Sequence, residues 1–283
     1  MGNARSRLGW TLACVALLAG APAIAEDPKK APPAQEQEQE RPEDAALAKE
    51  LEKKLEAPNK LDLLSAIEEL GKLDCPTSRK ALMKFISGTP NSEYGSKAVK
   101  ALGVRGSTTV VDFLCGKDGA RSSRVLVAEA ACESLAVIGD KRAVPTLLEC
   151  MKMDKIVVAC AAVEAVVKLD TAAEGLADRL ISLATAKDDT LRRSVATALG
   201  SLTSPKVVAA LIALATKDSN SIVRLNACQS IGKLAPFEAR KAMEDVAAKD
   251  KNAEVRVAAT EALSRIPREP PKAPAPAPAP SGK

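Results

Sequence analysis

The chain repeats itself about every 32 residues. Aligning it on a small residue followed four positions later by a large aliphatic gives one register. The small positions are Ala66, Ala98, Ala131, Ala162, Val195, Ala227 and Ala259; their partners are Leu70, Leu102, Leu135, Val166, Leu199, Ile231 and Leu263. Successive spacings are 32, 33, 31, 33, 32 and 32 residues. A period of this length is one supersecondary unit that cannot bury its apolar face alone, so the units must stack. Composition says what they are built from. Hydrophobic residues make up 46% of the chain but aromatic ones only 2%, so alanine, leucine and valine supply nearly all the core, as suits closely packed helices.

Each unit reads as two helices. In the third, apolar residues recur at helical spacing from Val125 to Ile138, Gly139-Asp140 makes a turn, and a second helix is predicted from Arg142 to Met151. Pro145 falls in that helix's first turn, where its missing N–H costs little. The pattern predicts an all-α chain of about seven two-helix repeats over residues 60–266, preceded by a capping helix over residues 44–57 that Pro58 ends. The first two units depart most from the pattern, and the fourth has a longer turn around Asp170 to Glu174.

The units resemble HEAT repeats, specifically the short HEAT-like type named for phycobilisome lyases. The residues that carry the resemblance are the run Val127 to Asp140 (VAEAACESLAVIGD) and Ala143 to Leu148 (AVPTLL), echoed by Val223-Arg224, Ala227 and Ile231-Gly232, and by Val255-Arg256, Ala259 and Leu263. The resemblance implies a right-handed α-solenoid that binds a protein partner along a concave face lined by the second helices. A rival implication is chromophore handling of the bilin-lyase kind, which needs a reactive site or an aromatic, polar pocket. Ankyrin and tetratricopeptide arrays have similar periods, but their signatures are missing.

The ends of the chain differ from its middle. Residues 1–25 read as a signal peptide: Arg5 and Arg7 precede an apolar stretch from Leu8 to Gly20, and Ala23-Ile24-Ala25 is a small-x-small cleavage site before Glu26. The apolar run is short for a membrane span, so no stable span is expected after cleavage. The start also fits a myristoylation pattern (MGNARS), and Thr11 to Cys14 faintly resembles a lipoprotein box; the export segment is the reading adopted. Residues 26–43 are an acidic Pro/Gln linker, and residues 267–283 end in alternating Ala-Pro, a stiff extended spacer. The expected destination is periplasmic or extracellular.

What the chain lacks narrows its chemistry. It has no histidine, which removes the commonest general base and metal ligand. Its one tryptophan, Trp10, lies in the leader, and Tyr94, Phe85, Phe113 and Phe237 are too scattered for base stacking. The formal charge is +5, but Arg5, Arg7, Lys272 and Lys283 lie outside the repeats. The expectation is therefore no enzyme, no cofactor, no metal and no nucleic acid.

Three constellations invite a functional reading. Arg192, Arg224 and Arg256 recur every 32 residues, each near an upstream Asp188, Asp218 or Asp250. They read either as a basic ladder for an anion or as Asp–Arg bridges tying one unit's end to the next unit's first helix. Six cysteines follow the leader. Cys132 and Cys228 share a register position and look like core residues, no Cys-x-x-Cys occurs, and Cys150 and Cys160 sit symmetrically about the turn at Asp154-Lys155 as a candidate disulfide. Lastly, sliding Arg142, Pro145, Thr146 and Glu149 along the register gives mixed charges in most units. In the fifth it gives Lys206, Ala209, Ala210 and Ala213, with Arg179 and Lys241 in the flanking units. That set is either a shallow apolar trough edged by charge or helix-favouring alanine on an idle surface. The function expected is an exported scaffold for a protein partner, with a purely structural envelope linker as a further alternative.

Overall fold

The computed structural model describes residues 40–56, 59–73 and 75–270. The signal peptide, nearly all of the acidic linker, Pro58 and the Ala-Pro run lie outside the described residues. Every regular element among the described residues is helical: α1 Pro42–Lys54, α2 Lys60–Lys72, α3 Pro76–Gly88, α4 Ser92–Gly103, α5 Val111–Cys115, α6 Val125–Ile138, α7 Val144–Cys150, α8 Ile156–Leu169, α9 Leu176–Leu183, α10 Asp189–Leu199, α11 Pro205–Lys217, α12 Ser221–Leu234, α13 Arg240–Lys249 and α14 Ala253–Arg265. Short 3₁₀ turns lead into α5, α7 and α13. This is an α-solenoid. No helix among the described residues is long and apolar enough to cross a membrane.

The shared register falls on the even-numbered helices. All of its small residues, and every aliphatic partner but Leu263, are buried. Leu263 belongs to α14, the last helix among the described residues. Its outer surface also carries exposed Thr260 where the six preceding even helices hold buried Ile67, Val99, Cys132, Val163, Ala196 and Cys228. A polar outer face is how the terminal layer of a stack meets water.

A second column, seven residues before the small position, starts these helices. Asn59, Asn91, Asp188, Asn220 and Asn252 each accept hydrogen bonds from backbone amides of the first turn. In the two units where the column reads Arg124 and Lys155, the side chain cannot accept. It turns back instead: Arg124 donates to the carbonyls of Thr89 and Ile86, and Lys155 to those of Ser122 and Ser123. A lost helix cap is thereby exchanged for a tie to the preceding unit.

The pairing of helices differs from the sequence expectation in phase. Each odd helix packs more extensively on the even helix that follows it than on the one before, most clearly α3 on α4, α11 on α12 and α13 on α14. The described residues thus fold as seven antiparallel hairpins, α1–α2 through α13–α14. The helix expected as a separate cap over residues 44–57 runs from Pro42 to Lys54 and is the first arm of the first hairpin. Its early start takes the last two residues from the expected linker. Glu40 fixes that start by accepting from the amide and hydroxyl of Thr77.

The two rows of helices stack differently. Even helices contact one another closely all along the stack, whereas odd helices past α3 contact one another sparsely. Small residues permit the closeness. A Cβ on Gly103 would lie 2.5 Å from the Ser134 Cβ, one on Gly200 2.6 Å from the Ser230 Oγ, and one on Gly71 2.8 Å from the Ala101 Cβ. A stack drawn together along one row bends toward that row. The inner row is therefore the even helices, not the odd ones such as α7 and α11 that the sequence reading expected to line it.

Candidate partner-binding face

The expected trough lies on α11, in the sparsely stacked row. Ala209 and Ala213 are exposed and Ala210 is half-buried. Its charged edges are largely committed. Arg179 is half-buried and donates to the Leu148 carbonyl near the end of α7, so it ties α9 to the preceding unit. Lys206 is exposed, 3.3 Å from Asp178, and Lys241 lies 3.8 Å from Asp245 one turn along its own helix. Such exposed pairs contribute little to stability. Ala209 and Ala213 thus face solvent, while the Arg179 guanidinium is held by the Leu148 carbonyl.

The arginine column is structural, with partners one unit further on than the sequence spacing indicates. Arg192 forms a two-pronged bridge to Asp218, at 2.7 and 3.0 Å, and Arg224 to Asp250, at 2.8 and 3.0 Å. The spare guanidinium nitrogen of each donates to carbonyls in the turn after the preceding odd helix: Ala186 and Lys187 for Arg192, Asp218 and Ser219 for Arg224. Asp188, expected to pair with Arg192, caps α10 instead, through the amides of Thr190 and Leu191. Arg256 bonds the Asp250 carbonyl, and among the described residues no carboxylate completes its rung. An open groove of about 550 Å³ runs over this ladder between the ends of α11 and α13. Two of the cations lining it, Arg224 and Lys249, already hold Asp250 and Asp245, so it does not form a basic ladder for a polyanion.

These bridges make stability depend on pH. The Arg224 guanidinium holds Asp250 below the ordinary aspartate value of 3.8, overriding its burial. For Asp218 burial pushes upward, and Arg192 with the Asn220 amide outweighs it. A carboxylate depressed in the folded state contributes stability that is complete above its unfolded value and is lost as pH falls through its folded one. We expect the urea midpoint to fall between about pH 4 and pH 2, and the fall to be shallower in Asp250→Asn, as checked by circular dichroism across that range.

The candidate disulfide is not formed, and both thiols are free. Cys150 ends α7, buried against Cys132 of α6 and facing the Ala120 carbonyl at 3.5 Å. Cys160 lies on the opposite side of its hairpin, hydrogen-bonded with Ser194 of α10. Symmetry about a turn places two residues at one level of a hairpin without turning them toward each other.

A surface that the sequence reading passed over is the solvent-facing side of the even row. Of the nine large aliphatic side chains exposed among the described residues, eight lie on or at the ends of even helices. Leu61, Leu126, Val157 and Ile222 share one register position, five before the small residue, and Leu126 and Val157 fall on adjacent helices. Glu133, Glu164 and Lys168 flank them along α6 and α8. Apolar periodicity alone could not reveal the column, because it reads as one more core position.

Comparison with known proteins bears on the fold. The family profile described as HEAT repeats matches residues 171–232 and 209–276. A search of curated proteins returns no match. Among solved structures, the chain is similar to Escherichia coli YibA, with 16% identity, 81% of this chain and 99% of that one covered, and a TM-score of 0.50. The complex of CpcE and CpcF of phycocyanin lyase from Nostoc sp. PCC7120 gives 19% identity over 86% of this chain and 92% of that one, with a TM-score of 0.45. Computationally designed armadillo repeat proteins for modular peptide recognition give 16%, 77%, 99% and 0.40. At 16% identity the likeness to YibA is one of fold.

Proposed function

We propose that this chain of HEAT repeats is an exported, non-enzymatic scaffold that binds a protein partner on its even row of helices. HEAT repeats suit protein binding because they present a long, regular surface on rigid elements. The observation that carries the finer reading is the gathering of exposed aliphatic side chains on that row. Single exposed aliphatics are ordinary on any protein. Here they concentrate on one row, and Leu126 and Val157, each nearly half exposed, repeat one register position on neighbouring helices. Flanking Glu133, Glu164 and Lys168 supply the polar rim expected of such a contact. Export rests on the leader ending at Ala25, and the absence of histidine from the whole chain supports a role without acid–base catalysis.

The test compares two surfaces. Partners are captured from the native compartment with the full mature chain, then measured against Leu126→Asp/Val157→Asp and against Ala210→Glu/Ala213→Glu. The first pair is expected to weaken capture at least about tenfold with helicity intact, and the second to leave it unchanged. The reverse result would move the contact to the alanine face of α11. No captured partner would sink the scaffold reading. Separately, an amino terminus beginning at Glu26 is expected for the exported form, and an uncleaved chain in the cytoplasm would overturn export.

A further inference from the structure

Three of the six described cysteines gather in one hairpin and its neighbour: Cys115 at the end of α5, Cys132 in the middle of α6 and Cys150 at the end of α7. Cys132 and Cys150 are fully buried, at 0% and 1% exposure, and are neighbours close enough for each thiol to shift the other. Their meeting is a consequence of the repeat. They occupy the positions one and nineteen residues after the small residue of the unit. In the fifth unit the same two positions hold Ala196 and Leu214, and in the sixth Cys228 and Val246, all buried. A pair of buried apolar register positions thus becomes a pair of cysteines in one unit alone. Cys115 is half-buried and bonded to Thr146. Among the described residues no group of three or more such donors is placed to hold a metal ion, so the cluster is not a metal centre.

We propose that Cys132 and Cys150 are a disulfide-forming pair, oxidised by exchange with a small-molecule or protein disulfide. The pair rests on the export reading only for where that oxidant is met. Cys150 is the attacking thiol. The hydrogen bond from Cys132 lowers it below the ordinary thiol value, whereas Cys132 is raised by that same bond and by burial. Cys228 shows what burial does without a sulfur neighbour, being pushed up to about 12. The Cys150 thiolate attacks one sulfur of the oxidant, whose S–S bond breaks and releases one thiolate. Cys132 then loses its proton and attacks the Cys150 sulfur, expelling the second thiolate. Two protein thiols become one disulfide, and one oxidant disulfide becomes two thiols. Both protein sulfurs are buried, so exchange follows local opening of the seven-residue α7.

The experiment equilibrates the purified mature chain with glutathione poised near about −200 mV, then blocks free thiols and maps tryptic peptides. The expected product is two hydrogens lighter, with residues 125–141 joined to residues 143–152. Cys75, Cys115, Cys160 and Cys228 should take up the blocking reagent once the chain is unfolded. The oxidised chain should melt roughly 6–10 °C above the reduced one, since the bond closes a loop of under twenty residues. Cys132→Ala, which copies Ala196, should fold, lose the cross-link and abolish that shift. Six blocked thiols at equilibrium, or a link from residues 143–152 to 106–117 or 156–168, would overturn the pair. Thiols free in the native compartment but joined in the glutathione buffer would overturn export and leave the pair standing.

Discussion

Replacing Arg224 by alanine is expected to lower the stability of the C-terminal units by about 3–5 kcal/mol. The side chains of Arg224 and Asp250 are 5% and 9% exposed, so the bridge is hardly screened by water. Removing the guanidinium leaves Asp250 with the Asn252 amide as its remaining hydrogen-bond donor. It also frees the carbonyls of Asp218 and Ser219, in the turn that follows α11. The cost comes mostly from the stranded carboxylate, so Arg224→Met combined with Asp250→Asn should recover most of it, and a double-mutant cycle in urea measures that coupling. In a stack each unit touches only its neighbours. Amide exchange should therefore quicken in α12 to α14 and stay unchanged in α4 and α6. Arg256→Ala supplies the contrast. Its rung holds one carbonyl and no carboxylate, so its loss should cost only about 1 kcal/mol. Equal losses at Arg224 and Arg256 would show that the carboxylates contribute nothing.

The sequence carried the register because burial repeats. Ala131 and Leu135 sit at the same depth as Ala227 and Ile231, and a period needs no further information. Phase was less legible. An odd helix such as α11 is apolar toward both of its even neighbours, and nothing in its pattern says that it packs more on α12 than on α10. The ladder failed for a related reason. Asp188 and Arg192 are four apart, which on a helix means neighbours, but Asp188 is the residue that starts the helix, and its oxygen is taken by the Thr190 and Leu191 amides. The true partner, Asp218, lies 26 residues on, a distance set by the hairpin. The cysteines repeat the lesson: chain distance from a turn gives the level of Cys150 and Cys160, while the face each presents is set by helix rotation. Leu126 and Val157 were legible only as apolar. Core and exposed edge share one periodicity until the spacing of the even row is known.

That spacing can be tested at its closest point. Gly103→Val should destabilise the N-terminal half by roughly 2–3 kcal/mol, because overpacking forces the helices apart. α4 and α6 make the most extensive contact in the stack. A Cβ at Gly103 would meet the Ser134 Cβ at 2.5 Å and its Cα at 3.1 Å, neither of which is the end of a flexible chain. Separating them also strains the hydrogen bond from the Ser134 hydroxyl to the Val99 carbonyl, 3.2 Å long. The helix itself prefers valine to glycine by only a few tenths of a kcal/mol, so packing decides the sign. Gly88 is the control: a Cβ there meets nothing within 4 Å, and Gly88→Ala should be neutral or stabilising by up to about 1 kcal/mol. Ser134→Gly should restore part of what Gly103→Ala loses, since it clears the Cβ that the new methyl strikes. Urea unfolding of the four variants measures the close approach directly. If Gly103→Val is as stable as Gly88→Ala, the even helices are not held together by glycine, and the inner row loses its physical basis.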